Sequence, residues 1–263
     1  MGNILVGQYI PGNSRIHRLD PRTKILLTVC WIVQIFLTNS VQGFGIDILF
    51  LFTVILLAQV PVRTAFNSLK PILPIILFTS FFDMFYNGGT VLWSWEFLHI
   101  TQQGLQNALF LALRIALMII GSALLTFTTS LNSLTNGLEK LLAPADKLGV
   151  KVSDIAMAIT LAIRFISIFS EEFNKIKDAQ KARGARFDSK KIGDRICSIL
   201  PIILPLIYSA FRRAFDLTNA IESRCYNQQI KRTKLNPLQF KNPDGVSGIL
   251  FLAVGILTLF LRQ

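Results

Sequence analysis

The sequence predicts an all-α integral membrane protein with about five transmembrane helices and about three helices on the cytoplasmic side, two of them long. Three observations lead there. The 263 residues are 52% hydrophobic and only 16% charged, and they contain long uncharged runs. The net charge is nonetheless +12, a combination that suits a multi-span protein with basic cytoplasmic loops. The basic residues flank apolar stretches and form no polar domain of their own, which sets nucleic-acid binding aside.

Residues 1–24 form a polar, turn-rich lead-in with Pro11, Gly12 and Pro21 and no apolar core of the kind a cleavable signal peptide needs. The first two apolar spans are expected at about Ile25–Val41 and Phe44–Val60, joined by a link without Lys or Arg. Pro61–Lys70 is a basic link, and a third span runs from about Pro71 to Tyr86. Asn87–Gln103 is polar, again lacks Lys and Arg, and carries Trp93 and Trp95, which suit an interfacial belt. The fourth span is about Leu105–Phe127 and the last about Val246–Leu261.

Charge sets the orientation. If the lead-in, Pro61–Lys70 and Thr128–Gly245 are inside, they hold all but Arg114 and Arg262 of the 27 Lys and Arg. The N-terminus is then cytoplasmic and, with five spans, the C-terminus outside. The chain thus reads as lead-in 1–24, spans 25–127, a cytoplasmic region 128–245 and a final span 246–263.

That cytoplasmic region is too basic to cross a bilayer and too apolar to be a free loop. A first helix is expected at Leu131–Leu142, with Leu131, Leu134, Leu138, Leu141 and Leu142 on one face and Pro144 ending it. A second starts at the N-cap pair Ser153-Asp154 and runs to Arg183, roughly 45 Å at ~1.5 Å per residue. A third spans about Ile192–Cys225, with Pro201 expected to kink or divide it and Pro205 suited to the first turn of the piece Leu206–Cys225. The apolar first halves, Ile155–Phe169 and Ile196–Tyr208, are expected beneath or partly inside the bilayer, the charged second halves in the cytoplasm.

These two helices end alike. Ala179-x-x-Ala182-Arg183-Gly184 is answered 41 residues later by Ala220-x-x-Ser223-Arg224-Cys225. Either arginine alone is an ordinary cation at a helix C-terminus. The repetition points to docking, because an Arg between small residues can enter a groove and meet a carboxylate or helix-end carbonyls. Cys225 keeps the small size of a glycine but takes a left-handed cap less easily.

Two further arginines lie in apolar surroundings. Arg114, in the middle of the fourth span, costs several kcal/mol unless paired or wet. It is read as an inter-helix or inter-subunit contact, or as a structural partner of Asp47 or Asp83. Arg164 is read as snorkelling to headgroups or pinning the cytoplasmic helices together. No catalytic residues are expected: His17 and His99 fall in different loops, no phosphate-binding glycine loop occurs, and Cys30, Cys197 and Cys225 indicate neither a disulfide framework nor a metal site.

The lead-in Gly7-x-Tyr9-x-Pro11-x-x-Ser14-x-x-His17-Arg18-Leu19-Asp20-Pro21-Arg22-x-Lys24 resembles that of the T components of energy-coupling factor (ECF) transporters. So do Phe127-Thr128-Thr129, Ile163-Arg164-Phe165 with Glu172, and Ala179-Gln180-x-Ala182-Arg183-Gly184. Glu222-Ser223-Arg224-Cys225-Tyr226 is similar to that family's Glu-Ala-Arg-Gly-Tyr with two substitutions. The resemblance covers nearly the whole chain. It implies the membrane scaffold of a vitamin or metal-ion importer, joining a substrate-binding membrane subunit to two cytoplasmic ABC-type ATPases. It also implies that the two coupling helices cross. Ala182-Arg183-Gly184 and Ser223-Arg224-Cys225 would each insert in one ATPase, and ATP and Mg would bind those partners, leaving no cofactor in this chain. The alternatives are a self-contained secondary transporter, which usually needs broken helices and two similar membrane halves, and a membrane-embedded enzyme, for which no acid, His or Cys cluster is visible.

Overall fold

The structure, a computed structural model, describes residues 9–86, 91–95, 98–149, 151–185, 187, 192–226 and 238–261; for 85–86, 91–95, 98–100, 148, 192, 194–197 and 259 it gives backbone only. It divides into two compact units, Gly7–Leu142 with Leu238–Gln263, and Ala143–Pro237.

In the first unit, α1 (Pro21–Leu37) and α2 (Val41–Ala58) are followed by a short α3 (Val62–Asn67) and by α4 (Leu73–Tyr86). An antiparallel hairpin of β1 (Val91–Trp95) and β2 (Leu98–Thr101) leads into α5 (Gln102–Thr128) and α6 (Leu131–Leu142), and α9 (Asn242–Phe260) completes the unit. The hairpin was not expected in an all-helical chain. Its strands, VLWSW and LHIT, are rich in aromatic and β-branched residues, the types that favour strands. The interfacial role expected of Trp93 and Trp95 concerns side chains outside those described.

Local chemistry sets the helix ends. Asp20 caps α1 by accepting from the Arg22 amide at 2.9 Å, and Pro21 fills the first helical position. Helix α1 therefore starts four residues earlier than its apolar run. Ser40 caps α2 through the Gly43 amide, and Thr101 caps α5 through the Gly104 amide.

The core lies between α1, α2, α5 and α9, where Trp31, Ile35, Phe44, Leu51, Ile55, Leu117, Ile120, Leu124 and Phe251 are buried. The Trp31 indole donates to the Leu117 carbonyl at 3.2 Å. A Cβ at Gly121 would come within 2.3 Å of that ring, so only glycine lets α5 approach α1 there. Outward residues such as Leu49, Phe52 and Leu56 are at least half exposed, as lipid-facing positions are.

Helix α6 has the expected bounds but packs on a different face. A Cβ at Gly137 would sit 3.0 Å from Pro21 and 3.2 Å from Ile25, and Thr135 and Gly137 are buried. Leu131, Leu138 and Leu142 of the leucine stripe are 40–47% exposed.

The second unit holds a 3₁₀ turn (Ala143–Leu148), α7 (Val152–Ala182) and α8 (Ile192–Ser223). Helix α8 runs unbroken through Pro201 and Pro205, so of the kink or division expected at Pro201 the division is absent. Each proline removes one backbone donor without ending the surrounding ladder. By length and composition, α2, α5, α7 and residues Ser198–Ser223 of α8 are long and apolar enough to cross a membrane, while the apolar parts of α4 and α9 are shorter.

Candidate functional site: two matching helix ends

The ends of α7 and α8 share three hydrogen bonds, and the first end adds a fourth. At the first, the Arg183 amide donates to Ala179 and Gln180, the Gly184 amide to Lys181, and the Ala185 amide back five residues to Gln180 at 3.0 Å. Gly184 is left-handed, with φ +90°. At the second, the Arg224 amide donates to Ile221, the Cys225 amide to Glu222, and the Tyr226 amide back five residues to Ile221 at 3.2 Å. Cys225 is left-handed too, with φ +54°. Both are glycine-type C-caps of the Schellman kind, and each arginine is the residue immediately before the left-handed one. The left-handed cap that cysteine makes less easy is therefore formed all the same. Ala182, Arg183, Gly184, Ser223, Arg224 and Cys225 are all exposed.

The same 41-residue offset recurs inside the helices. The Arg213 guanidinium donates to a Glu172 carboxylate oxygen at 3.2 Å, and these two positions are 41 apart. Glu172–Arg213 is thus a contact between α7 and α8 at positions that match in the two copies of the pattern. Ser209, one turn before Arg213, accepts from its Nε at 3.4 Å and helps hold the guanidinium. The Tyr226 hydroxyl donates to the Met157 sulfur at 3.4 Å, so the end of α8 runs back toward the start of α7. Each arginine stands eleven residues beyond the central pair (172 to 183, 213 to 224), or about 16 Å at ~1.5 Å per residue. The two tips thus leave the centre in opposing directions.

The comparisons with known proteins agree over the whole chain. The model of the cobalt transport protein (CbiQ) family matches residues 12–235. The energy-coupling factor transporter transmembrane protein EcfT of Ruminiclostridium cellulolyticum is 42% identical over 98% of this chain and 95% of its own length. That of Acidaminococcus fermentans is 43% identical over 99% and 97%. The chain belongs to the family of ECF transporter transmembrane proteins. The repeated helix ends are thus features of a transporter's membrane component.

The other arginines singled out by sequence lie outside the two motifs. Arg114 donates to the Thr38 carbonyl at 3.0 Å and the Asn39 side chain at 2.9 Å, capping the C-terminus of α1. Asp47, one expected partner, is instead engaged by Gln34 at 2.7 Å and Thr38 at 3.0 Å and is fully buried. The carbonyl at the end of α1 takes one guanidinium nitrogen in place of that acid, while the buried Arg114 Nε has no hydrogen-bond partner among the described residues. Arg164 is on an exposed face of α7.

Sequence reasoning missed the work of the lead-in. The Ser14 hydroxyl and the Ile10 carbonyl bracket the His17 ring at 2.6 and 3.0 Å, and a Cβ at Gly12 would press on that ring at 2.9 Å. The Asp20 amide donates to Asp244 at 2.8 Å, and Asp244 also accepts from the Lys241 amide at 2.8 Å. Arg22 donates to the Leu238 carbonyl at 2.9 Å and lies 5.0 Å from the Phe240 ring centre. Lys24 donates to the carbonyls of His17 and Thr128. The Leu-Asp-Pro-Arg motif is a knot that ties the starts of α1 and α9 to the end of α5.

Proposed function

We propose that this chain is the coupling scaffold of an ECF-type ABC importer. Two cytoplasmic ATPases each receive one arginine-tipped helix end, Ala182-Arg183-Gly184 or Ser223-Arg224-Cys225. A separate membrane-embedded subunit binds the substrate, a vitamin or other micronutrient. ATP and Mg are held by the ATPases, and this chain hydrolyses nothing. Its N-terminus and the α7–α8 unit face the cytoplasm.

The observation that carries the proposal is the identity of the two terminations. Two ends with the same cap, the same exposed arginine and the same distance from a shared centre suit two like sockets. A guanidinium fork flanked by small residues can enter a groove and bond carboxylates or carbonyls in two directions. When the ATPases close on ATP and separate after hydrolysis, ends held in them must follow. Long, internally hydrogen-bonded helices carry that displacement along their length, and their exposed apolar halves, with Ile155, Ile159, Ile203 and Ile207, present a changed surface to the substrate-binding subunit.

The charge reversal Arg183→Glu with Arg224→Glu tests this in the assembled complex. Loss of both ATPases on affinity purification, with loss of ATP-driven uptake, is expected. Co-purification at full stoichiometry with normal uptake would overturn the docking assignment.

A further inference from the structure

The first unit holds a cavity of about 330 Å³ between α1, α2, α5 and α9. Apolar cavities of ~150 Å³ already stay dry and take a benzene-sized guest, and this one is twice that. Its wall is hydrocarbon and aromatic, with Leu27, Trp31, Phe50, Leu124 and Phe251 among the lining residues.

Six polar side chains also line it, and each is already engaged. Lys24 donates to the His17 and Thr128 carbonyls. Thr28 donates to Lys24, Trp31 to Leu117, Thr53 to Phe50, Thr128 to Leu124 and Ser247 to Asp244, all at backbone carbonyls. Each of these groups already turns at least one proton to a backbone carbonyl, leaving one Lys24 N–H and the hydroxyl lone pairs. A resident water needs two to four polar partners, which the hydrocarbon and aromatic part of the wall, with Leu27, Phe50, Leu124 and Phe251, does not offer. An occupant lying along that part of the wall is held mainly by contact and exclusion from water.

The rim shows where it enters. Leu57 on α2 and Leu250 on α9 line the cavity and are 51% and 59% exposed, so the opening lies on the apolar outer surface between these two helices. In a membrane-spanning bundle that surface is bathed in lipid chains. We propose that this cavity is a binding site for one acyl chain of a bilayer phospholipid, entering laterally between α2 and α9 and lying against Trp31. The chain would pack against the hydrocarbon and aromatic wall that Leu27, Phe50, Leu124 and Phe251 provide. The inference is independent of the docking of the helix ends.

Trp31 reports on it directly. With Trp93→Phe and Trp95→Phe, Trp31 is the sole tryptophan of the full chain. This protein is reconstituted in phosphatidylcholine vesicles with ordinary or with dibrominated acyl chains. Bromine quenches indole only at short range. The expected result is a large loss of emission in brominated vesicles, although Trp31 is only 4% exposed, and recovery when Val54→Phe or, separately, Leu250→Phe fills the cavity. Equal emission in both lipids, which needs no filling variant to observe, would overturn the proposal. So would quenching that persists unchanged in both filled variants, since it would then come from lipid outside the bundle.

Discussion

Cys225 carries a conformation that cysteine does not favour. Its φ of +54° places Cβ against the following carbonyl, at a cost of roughly 1–2 kcal/mol for an L-residue. Cys225→Gly should recover about 1 kcal/mol, seen as slower amide hydrogen exchange at Arg224–Tyr226 with no loss of ATPase binding. Gly184, at φ +90°, offers the opposite control: Gly184→Val should fray the first end. Asp244 is a second residue whose importance is local and calculable. It accepts two backbone amides, those of Asp20 and Lys241. Asp244→Ala leaves both without an acceptor and should cost about 2 kcal/mol, read as a lowered Tm of the purified chain, while Asp244→Asn, keeping one acceptor oxygen, should cost less. The sequence marked Gly184 and Cys225 as matching helix-end positions, but neither the Asp244 contact nor the φ of Cys225 was legible beforehand. Asp244 is 224 positions from Asp20, and the left-handed cap at Cys225 depends on hydrogen bonds that composition does not reveal.

At the scale of elements, the Glu172–Arg213 pair joins α7 to α8. Its side chains are 24% and 41% exposed, so its contribution to stability should stay within about 1 kcal/mol. Its position matters more than its strength, because it fixes which turns of the two helices meet. Glu172→Arg or Arg213→Glu should reduce ATP-driven uptake by the reconstituted complex, and the exchange of both charges should restore much of it. If the double exchange is no better than the singles, the pair is not what sets the crossing. The helices themselves were readable to within a few residues. Pro144 follows the end of α6, and Gly184 stands just past the end of α7. The face that α6 buries was not readable, because a leucine stripe looks like a core face whether its partner is protein or lipid. The hairpin hid between two apolar runs as a short polar link. The division expected at Pro201 did not occur, since a long helix can lose two backbone donors and keep its ladder.

For the whole molecule, the sequence conveyed the class, an all-α membrane protein. Hydrophobicity and charge placement point to a multi-span membrane protein, and the paired Ala-Arg-Gly and Ser-Arg-Cys motifs to two like helix ends. The knot made by Asp20, Arg22, Lys24 and Asp244 joins the lead-in and α9 to α1 and α5 within one unit, whereas a linear reading leaves the lead-in as a separate segment. The central claim concerns the other unit: its two ends are equivalent grips for two ATPases. The most direct measurement places a photoreactive residue at Lys181 or at Glu222, equivalent exposed positions beside the two arginines that leave both guanidinium groups intact. Irradiation in native membranes should join each position to a nucleotide-hydrolysing subunit. Adducts only with lipid, or with no nucleotide-binding protein from either position, would contradict the account.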